Sequence, residues 1–412
     1  MDRPNRRHKR HWHTSRDGST SCLGAITAVD EYNRGRMPDE AGKEMSGRVQ
    51  VRLEDIAARV GISRSEVSRV LNGRIREGKG VGAETRQRIL DVAKELNYRP
   101  HRAAQNLARG KTDTVALMMV INQVLQASPF MADDGHQGLS PHYHEIIGAL
   151  TYTLHQFGIN LLLAQCGGVD IDPIDAMEQI ARSRTCDGMI ITDMRLDDRR
   201  PDILDDTGLP YVVRGSSPKP GVVAVGMDNH RVGYEAVRYL NSLGHKKILF
   251  FNIGRDLMSG QRRFEGFCQA RDEFGLKSTA IYRDDAHFEN GIYNAVTEIM
   301  KGSDVPTAIF TEDELGAFGA ERAISEAGLR VPDDVSVMTC LNARFMRMVA
   351  PNLTVLNVRQ DEVASQAARL LAHILQGQPV EKRQVLLNPL IEERGSTSPP
   401  KKAFIYSNGA AV

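Results

Sequence analysis

Residues Leu53 to Pro100 constrain this chain more than any other stretch: two short amphipathic segments broken by a glycine, with a third segment close behind. The spacing predicts a first helix over Leu53 to Val60, with Ile56 and Val60 on one face and Leu53 and Ala57 alongside. Gly61 supplies the turn, where a residue without a Cβ accepts a sharp bend at least cost. The second helix starts at Ser63, and Ser63-Arg64-Ser65-Glu66 reads as a capping box, with a hydroxyl at the N-cap and a carboxylate at N3. Val67, Val70 and Leu71 follow at helical spacing and are expected to bury against the first helix. Arg64, Ser65, Ser68, Arg69 and Asn72 are then left on the outer face. Their polar groups include the donors that DNA base edges and phosphates require. A third helix is expected over Ala83 to Leu96, with Ile89, Val92, Ala93 and Leu96 inward. For this segment alone, an ordinary solvated helical pair is the alternative.

The distribution of charge favours the first reading. The 412 residues carry a net charge of only +1. Residues 48–111, however, hold 15 Lys and Arg against 7 Asp and Glu, a net of +8, and residues 112–412 carry −9. A basic headpiece on an acidic body localises affinity for phosphate to one end.

From Thr114 the pattern changes to short apolar runs alternating with amphipathic helices. Strands are expected at 115–121, 160–164, 188–192, 211–214, 222–225, 247–253, 280–283, 308–311 and 335–339. Helices are expected at 144–157, 173–183, 230–243, 261–274, 291–301 and 315–327. Such alternation implies parallel sheets covered on both faces, here about two sets of five strands. Two such lobes leave a cleft at the carboxyl ends of the strands, where open α/β sheets bind ligands.

No apolar run reaches membrane-spanning length, and the first residues offer no apolar stretch as a secretion signal, so a cytoplasmic location and no membrane partner are expected. The five cysteines, Cys22, Cys166, Cys186, Cys268 and Cys340, show no paired or metal-type spacing and fit reduced thiols. No cofactor, metal site or catalytic residue is expected. Residues 1–47 read as a disordered tail, basic and His-rich at Arg6 to His13; Met45 stands just before the recognisable domain and leaves open a start there.

The headpiece resembles that of the lac/gal repressor family of bacterial transcription regulators, on Asp55-Ile56-Ala57, Gly61-Ile62-Ser63 and the run Val67 to Asn72. The hinge pattern of that family is matched by Asn97, Tyr98, Pro100, Ala103 or Ala104, and Leu107. Further matches follow in order through the body, among them Asp228-Asn229, Leu243 to Ile248, Arg263-Phe264-Glu265-Gly266-Phe267, Pro351 to Thr354, and Arg394 to Thr397. The resemblance implies an all-α helix-turn-helix headpiece (48–99), a hinge helix (100–112) and a two-lobed α/β core like the periplasmic sugar-binding proteins (113–396), with a flexible tail over 397–412. It places Arg64, Ser65 and Arg69 at base-reading positions and Tyr98 in the DNA-contacting hinge region. Leu107 falls on the leucine that wedges into the central minor-groove step, or is simply a linker residue. The segment Gly73 to Gly82 is about four residues longer than is usual in the family, which leaves its phosphate contacts open.

The same resemblance implies the ligand-binding residues. His142 and Tyr143 occupy the loop that stacks on the ligand, and Arg263 the position whose guanidinium grips hydroxyls or a carboxylate. A packed core aromatic and a structural ion pair remain the alternatives for Tyr143 and Arg263. The chain departs from the family at Glu312-Asp313 and at Leu341-Asn342, so Glu312 and Asn342 are carried as candidates. An insertion between Asn122 and Leu139 is either a lid over the cleft or a loop with no ligand role.

An enzyme is disfavoured: the chain has no Gly-x-Ser-x-Gly elbow, phosphate loop or His-Glu-x-x-His. A transport receptor would lack the basic headpiece, and a purely architectural DNA protein would not need the body. The expected function is a transcription regulator, a repressor by default. Its expected partners are a double-stranded, pseudo-palindromic operator, a carbohydrate-like effector and a second copy of itself. A non-sugar effector such as a nucleobase is the alternative.

Overall fold

The computed structural model describes residues 51–72, 81–99, 106, 109–120, 141–166, 172–252, 256–282, 289–348 and 350–401. Expectations for the N-terminal tail, Gly73 to Gly80, Leu107, the Asn122–Leu139 insertion, the His142 side chain and residues 402–412 lie outside them. The chain divides into two compact units, Met1–His101 and Arg102–Val412.

In the first unit, helices α1 (Leu53–Val60), α2 (Arg64–Leu71) and α3 (Ala83–Glu95) enclose a small core. Ile56, Val67 and Ile89 are fully buried at its centre, each contributed by a different helix. Gly61 ends α1 in the left-handed conformation (φ 78°), and its N–H donates to the Ala57 carbonyl. Ser63 caps α2 as the spacing predicts: the Glu66 N–H donates to Ser63 Oγ, and the Ser63 N–H to Glu66 Oε2.

The second unit contains two six-stranded sheets. The first lobe holds β1 (Thr114–Val120), α4 (Pro141–Gln156), β2 (Asn160–Cys166), α5 (Pro173–Arg182), β3 (Gly188–Thr192), α6 (Arg200–Thr207), β4 (Tyr211–Arg214) and β5 (Ala224–Met227). The second begins with α7 (Asn229–Ser242), β6 (Ile248–Asn252), α8 (Met258–Glu273), β7 (Thr279–Tyr282) and α9 (Glu289–Met300). It continues through β8 (Ala308–Thr311), α10 (Glu314–Glu326), β9 (Ser336–Thr339), a 3₁₀ turn (Arg344–Met348) and β10 (Thr354–Asn357). The chain then returns to the first lobe with α11 (Gln360–Leu375), which packs on α4, β3, β4 and β5, and with β11 (Gln384–Leu387). It closes in the second with β12 (Leu390–Glu392). Three connections therefore join the lobes: β5 to α7, β10 to α11, and β11 to β12.

The sheet orders are β11-β5-β4-β3-β1-β2 and β12-β10-β9-β8-β6-β7. All pairings are parallel except β12 with β10, which is antiparallel. This corrects the expected five strands per lobe: β10, β11, β12, α6 and α11 were not anticipated. In β11 the exposed positions alternate with half-buried ones, and β12 is three residues long, so neither forms the apolar run of a central strand.

Thr397 and Ser398, assigned by the sequence to a tail, are bonded into the second lobe. Thr397 Oγ1 lies 2.9 Å from both Tyr239 Oη and Thr354 Oγ1, and the Ser398 carbonyl lies 3.0 Å from His245 Nε2.

Candidate nucleic-acid interface and ligand site

Val67 and Val70 pin one side of α2 to the headpiece core, so the opposite side must face outward. Arg64, Ser65, Arg69 and Asn72 are exposed there and Ser68 is half-buried. Their contacts are local and weak. Arg64 Nε sits 3.0 Å from Glu54 Oε1, Arg69 Nε donates to the Ser65 carbonyl at 3.4 Å, and Asn72 Nδ2 donates to Ser68 Oγ at 3.1 Å. An exposed pair of this kind contributes little to stability and yields readily to a phosphate or base. Tyr98 packs half-buried against the headpiece core, and burial raises the pKa of its hydroxyl, which remains a donor.

In the core unit, a cavity of about 90 Å³ opens between the lobes at the carboxyl ends of their strands. Asp193 and Arg214 reach it from the first lobe, and Asn229, Ser259 and Arg263 from the second. Asp193 follows β3 in the left-handed conformation (φ 52°), which a short polar side chain tolerates. Thr192 Oγ1 donates to Asp193 Oδ2 at 2.6 Å, and the Tyr143 hydroxyl donates to the same oxygen. Burial, with the Asp193 carboxylate beside it, holds the Tyr143 hydroxyl well above the ordinary phenol range, so it stays a donor. Arg200 fixes this loop from behind. Its guanidinium is buried against Asp198 at 2.6 Å and donates to the Thr192 and Asp193 carbonyls.

Arg263 owes its position to a close helix crossing. A Cβ on Gly233 of α7 would lie 1.9 Å from the Arg263 carbonyl oxygen, and one on Gly266 of α8 would lie 1.8 Å from that of His230. Only glycine permits this approach. It brings Arg263 Nε to 2.9 Å from Asn229 Oδ1, while the far end of the guanidinium pairs with Glu312 Oε2 at 2.9 Å. Behind the pair, Cys340 Sγ donates to the Glu312 carbonyl, and burial pushes its thiol up to about 12.

Of the residues expected at the ligand site, Arg263 lines the cavity and Glu312 backs it. Tyr143 lies in the core beneath Asp193, 2% exposed, and does not line the cavity. Asn342 belongs to a separate network: its Nδ2 donates to Glu392 Oε1 at 3.2 Å and its Oδ1 accepts from Arg394 at 2.7 Å. Asp193, Arg214 and Ser259 were not anticipated. A signal was present for two of them, since Gly188–Thr192 and Tyr211–Val213 are apolar strands that run into a charged residue at the carboxyl end.

The lobes also meet beside this cavity. Met258 and Met194 are joined by a backbone hydrogen bond of 2.9 Å, Leu196 and Asp256 by one of 2.8 Å, and Arg195 pairs with Asp256 at 2.6 Å. On another side, Glu145 of α4 accepts from the Arg344 N–H at 2.9 Å. Among the described residues no cluster of His, Cys, Asp and Glu is placed to hold a metal ion, and no helix is long and apolar enough to cross a membrane.

Residues 52–101 match the family model for bacterial regulatory proteins of the lacI family, and residues 237–397 match that of a periplasmic binding protein-like domain. The chain is 31% identical over 292 residues to the HTH-type transcriptional regulator AglR of Rhizobium meliloti, covering 70% of this chain and 77% of that one. It is 29% identical over 359 residues to the HTH-type transcriptional regulator CelR of Thermobifida fusca, covering 85% of this chain and all of the other. Among solved structures it resembles a complex of the transcriptional regulator CelR with cellobiose, at 27% identity and a TM-score of 0.60, over 84% of this chain and 99% of that one. These relatives are transcriptional regulators rather than enzymes.

Proposed function

This chain belongs to the lacI family of bacterial regulatory proteins and is a DNA-binding transcriptional regulator; from that premise we propose that a small molecule held between its lobes sets its affinity for a pseudo-palindromic operator. The observation that carries this reading is the coexistence in one chain of a capped helix with an outward polar face and an interlobe cavity walled by buried charges. Arg64, Ser65, Ser68, Arg69 and Asn72 read the operator, Tyr98 supports the contact, and Leu107 enters the minor groove. A dimer reads the two half-sites. Tyr152, Leu162 and Leu163 support it, because they leave exposed apolar surface on α4 and the neighbouring edge strand β2. A dimer seated across its operator excludes other proteins from the same DNA, so repression is the expected outcome.

Arg263 and Glu312 serve the ligand directly or as its immediate backing, and Tyr143 acts from beneath the cavity by holding Asp193. Asn342 acts through Arg394 and Glu392. A sugar or sugar derivative is the expected class of ligand, in keeping with the cellobiose held by CelR. Closing the lobes forms the Arg195–Asp256 pair beside Met258, a residue that also lines the cavity, so ligand contact and closure share one segment. The place of action is the cytoplasm, at the nucleoid.

Selection of DNA from a random library by the purified chain, at near-physiological salt, tests the operator claim. Enrichment of a palindrome is expected, and Arg69→Ala should relax base preference at one position per half-site by about 1–3 kcal/mol. A chain that enriches no motif, or an Arg69→Ala variant with unchanged preference, contradicts the assignment.

A further inference from the structure

The second lobe meets the first at a buried carboxylate. Glu314 opens α10 just beyond the carboxyl end of β8, with no exposed surface and no hydrogen-bond partner for either carboxyl oxygen. An ionised carboxylate in such a place gives up its hydration without compensation. Nearby charge adds to the cost: Asp313 precedes it, and Glu145 of α4 acts on it from the first lobe.

The same Glu145 ties the lobes together. Its Oε1 accepts the Arg344 N–H at 2.9 Å, at the start of the 3₁₀ turn. That turn rests on α10, where Phe345 packs against Phe318 with ring centroids 5.9 Å apart. Phe318 stands one helical turn from Glu314 on the same face. Turn, Glu145 and Glu314 therefore gather at the lobe boundary.

The cations around them are engaged elsewhere or exposed. Arg263 pairs with Glu312, Arg347 lies 3.8 Å from Glu392, and the Arg344 side chain is exposed. Beneath α10, Ala308–Thr311 and Ser336–Thr339 carry no titratable side chain, and Cys340 beyond them is a neutral thiol. Tyr293 of α9 meets α10 two turns further on, at Arg322 and Glu326. On α4, His144 is exposed and Tyr143 is bonded to Asp193. Glu321, also two turns along α10, is half-buried with one oxygen unpartnered, and burial alone raises its pKa, to about 7.

We propose that Glu314 is a proton-dependent switch on the contact between the lobes. Neutral, it lets Glu145 stay against the second lobe and hold the Arg344 N–H. Ionised, it repels Glu145 and gains water when the lobes part, so that bond is lost. Lobes together thus retain a proton that lobes apart release. Closure weakens as pH rises from the ordinary carboxylate value of 4.5 to about 8, where the enclosed group titrates, and levels off above it.

Hydrogen–deuterium exchange on the full chain, read by mass spectrometry from overlapping peptides that isolate the Arg344 amide, tests the proposal. Rates are corrected for the intrinsic pH dependence of exchange. Protection of that amide should fall at least about tenfold between about pH 5 and pH 8. In Glu314→Gln it should change by less than about twofold over the same range. Glu314→Met, apolar and of similar length, serves if the Gln variant does not fold. Glu145→Ala, which removes the acceptor, should leave the amide unprotected at every pH, and Glu321→Gln should keep the parent's response. Protection that is flat with pH in the parent, a fall that survives Glu314→Gln, a response lost with Glu321 instead, or an amide still protected in Glu145→Ala overturns the proposal. The measurement needs neither operator nor cavity ligand, so its outcome is separate from that of the DNA selection.

Discussion

Glu314, the first residue of α10, is fully enclosed and neither of its carboxyl oxygens is hydrogen-bonded. Burial, then the neighbouring Asp313, raises its pKa from 4.5 to about 8. The folded chain thus binds more protons than the unfolded chain between those values, and this group's contribution to stability falls as pH rises through that window. Glu314→Gln should therefore raise the melting temperature above pH 8, by the equivalent of a few kcal/mol at most, and leave it unchanged near pH 4. Melts at the two pH values check this, and equal shifts at both would contradict it. His245 runs the other way. Burial lowers its pKa to about 4, so its contribution to stability declines as pH falls below about 6.5, where an unfolded histidine takes up a proton. Neither Glu314 nor the matched Arg263 is distinguished in the sequence from a surface charge. Arg263 was legible only through the Arg-x-x-Gly-Phe pattern, and Arg214 only as a charge ending an apolar strand. Whether a charge is paired depends on neighbours distant in sequence: Glu312 lies 49 positions from Arg263.

Among the elements, the α7–α8 crossing carries the most consequence. Gly266→Ala would place a methyl 1.8 Å from the His230 carbonyl oxygen, and backbone cannot rotate away as a side chain can. The helices must separate, at an expected cost of about 3 kcal/mol or more, and Arg263 loses its register with Asn229. Denaturant melts and ligand titration on one preparation should show both losses; retained stability with full ligand affinity would contradict the account. Helices with strong apolar periodicity, such as α1, α2 and α3, were legible to within a residue or two, and the Ser63 cap was legible to the atom. The strands β11 and β12 were not, because their sequences are short, half-exposed and defined by partners far back in the chain: Gln384 pairs with Ala224, and Leu390 with Asn357. The helix α11 was missed despite a clear signal. Val363, Ala364, Ala367, Ala368, Leu371 and Ala372 recur on one face and are all buried.

For the whole molecule, the alternation of strands and helices disclosed two lobes, but not that the chain would pass between them three times. The cavity lies where the two lobes meet, beside those passages. The Arg195–Asp256 pair and the Met194–Met258 backbone hydrogen bond join the lobes beside the cavity, so, on the proposed reading, a ligand that reaches both walls favours this arrangement. If the arrangement of the lobes also governs the grip on DNA, the two binding events are thermodynamically linked. The measurement that bears most directly on this is the affinity of the intact chain for its selected operator with and without saturating cavity ligand, paired with its affinity for that ligand with and without operator. Equal fold-changes in the two directions, of about fivefold or more, are predicted. Operator affinity that does not respond to a ligand shown to occupy the cavity would contradict the account.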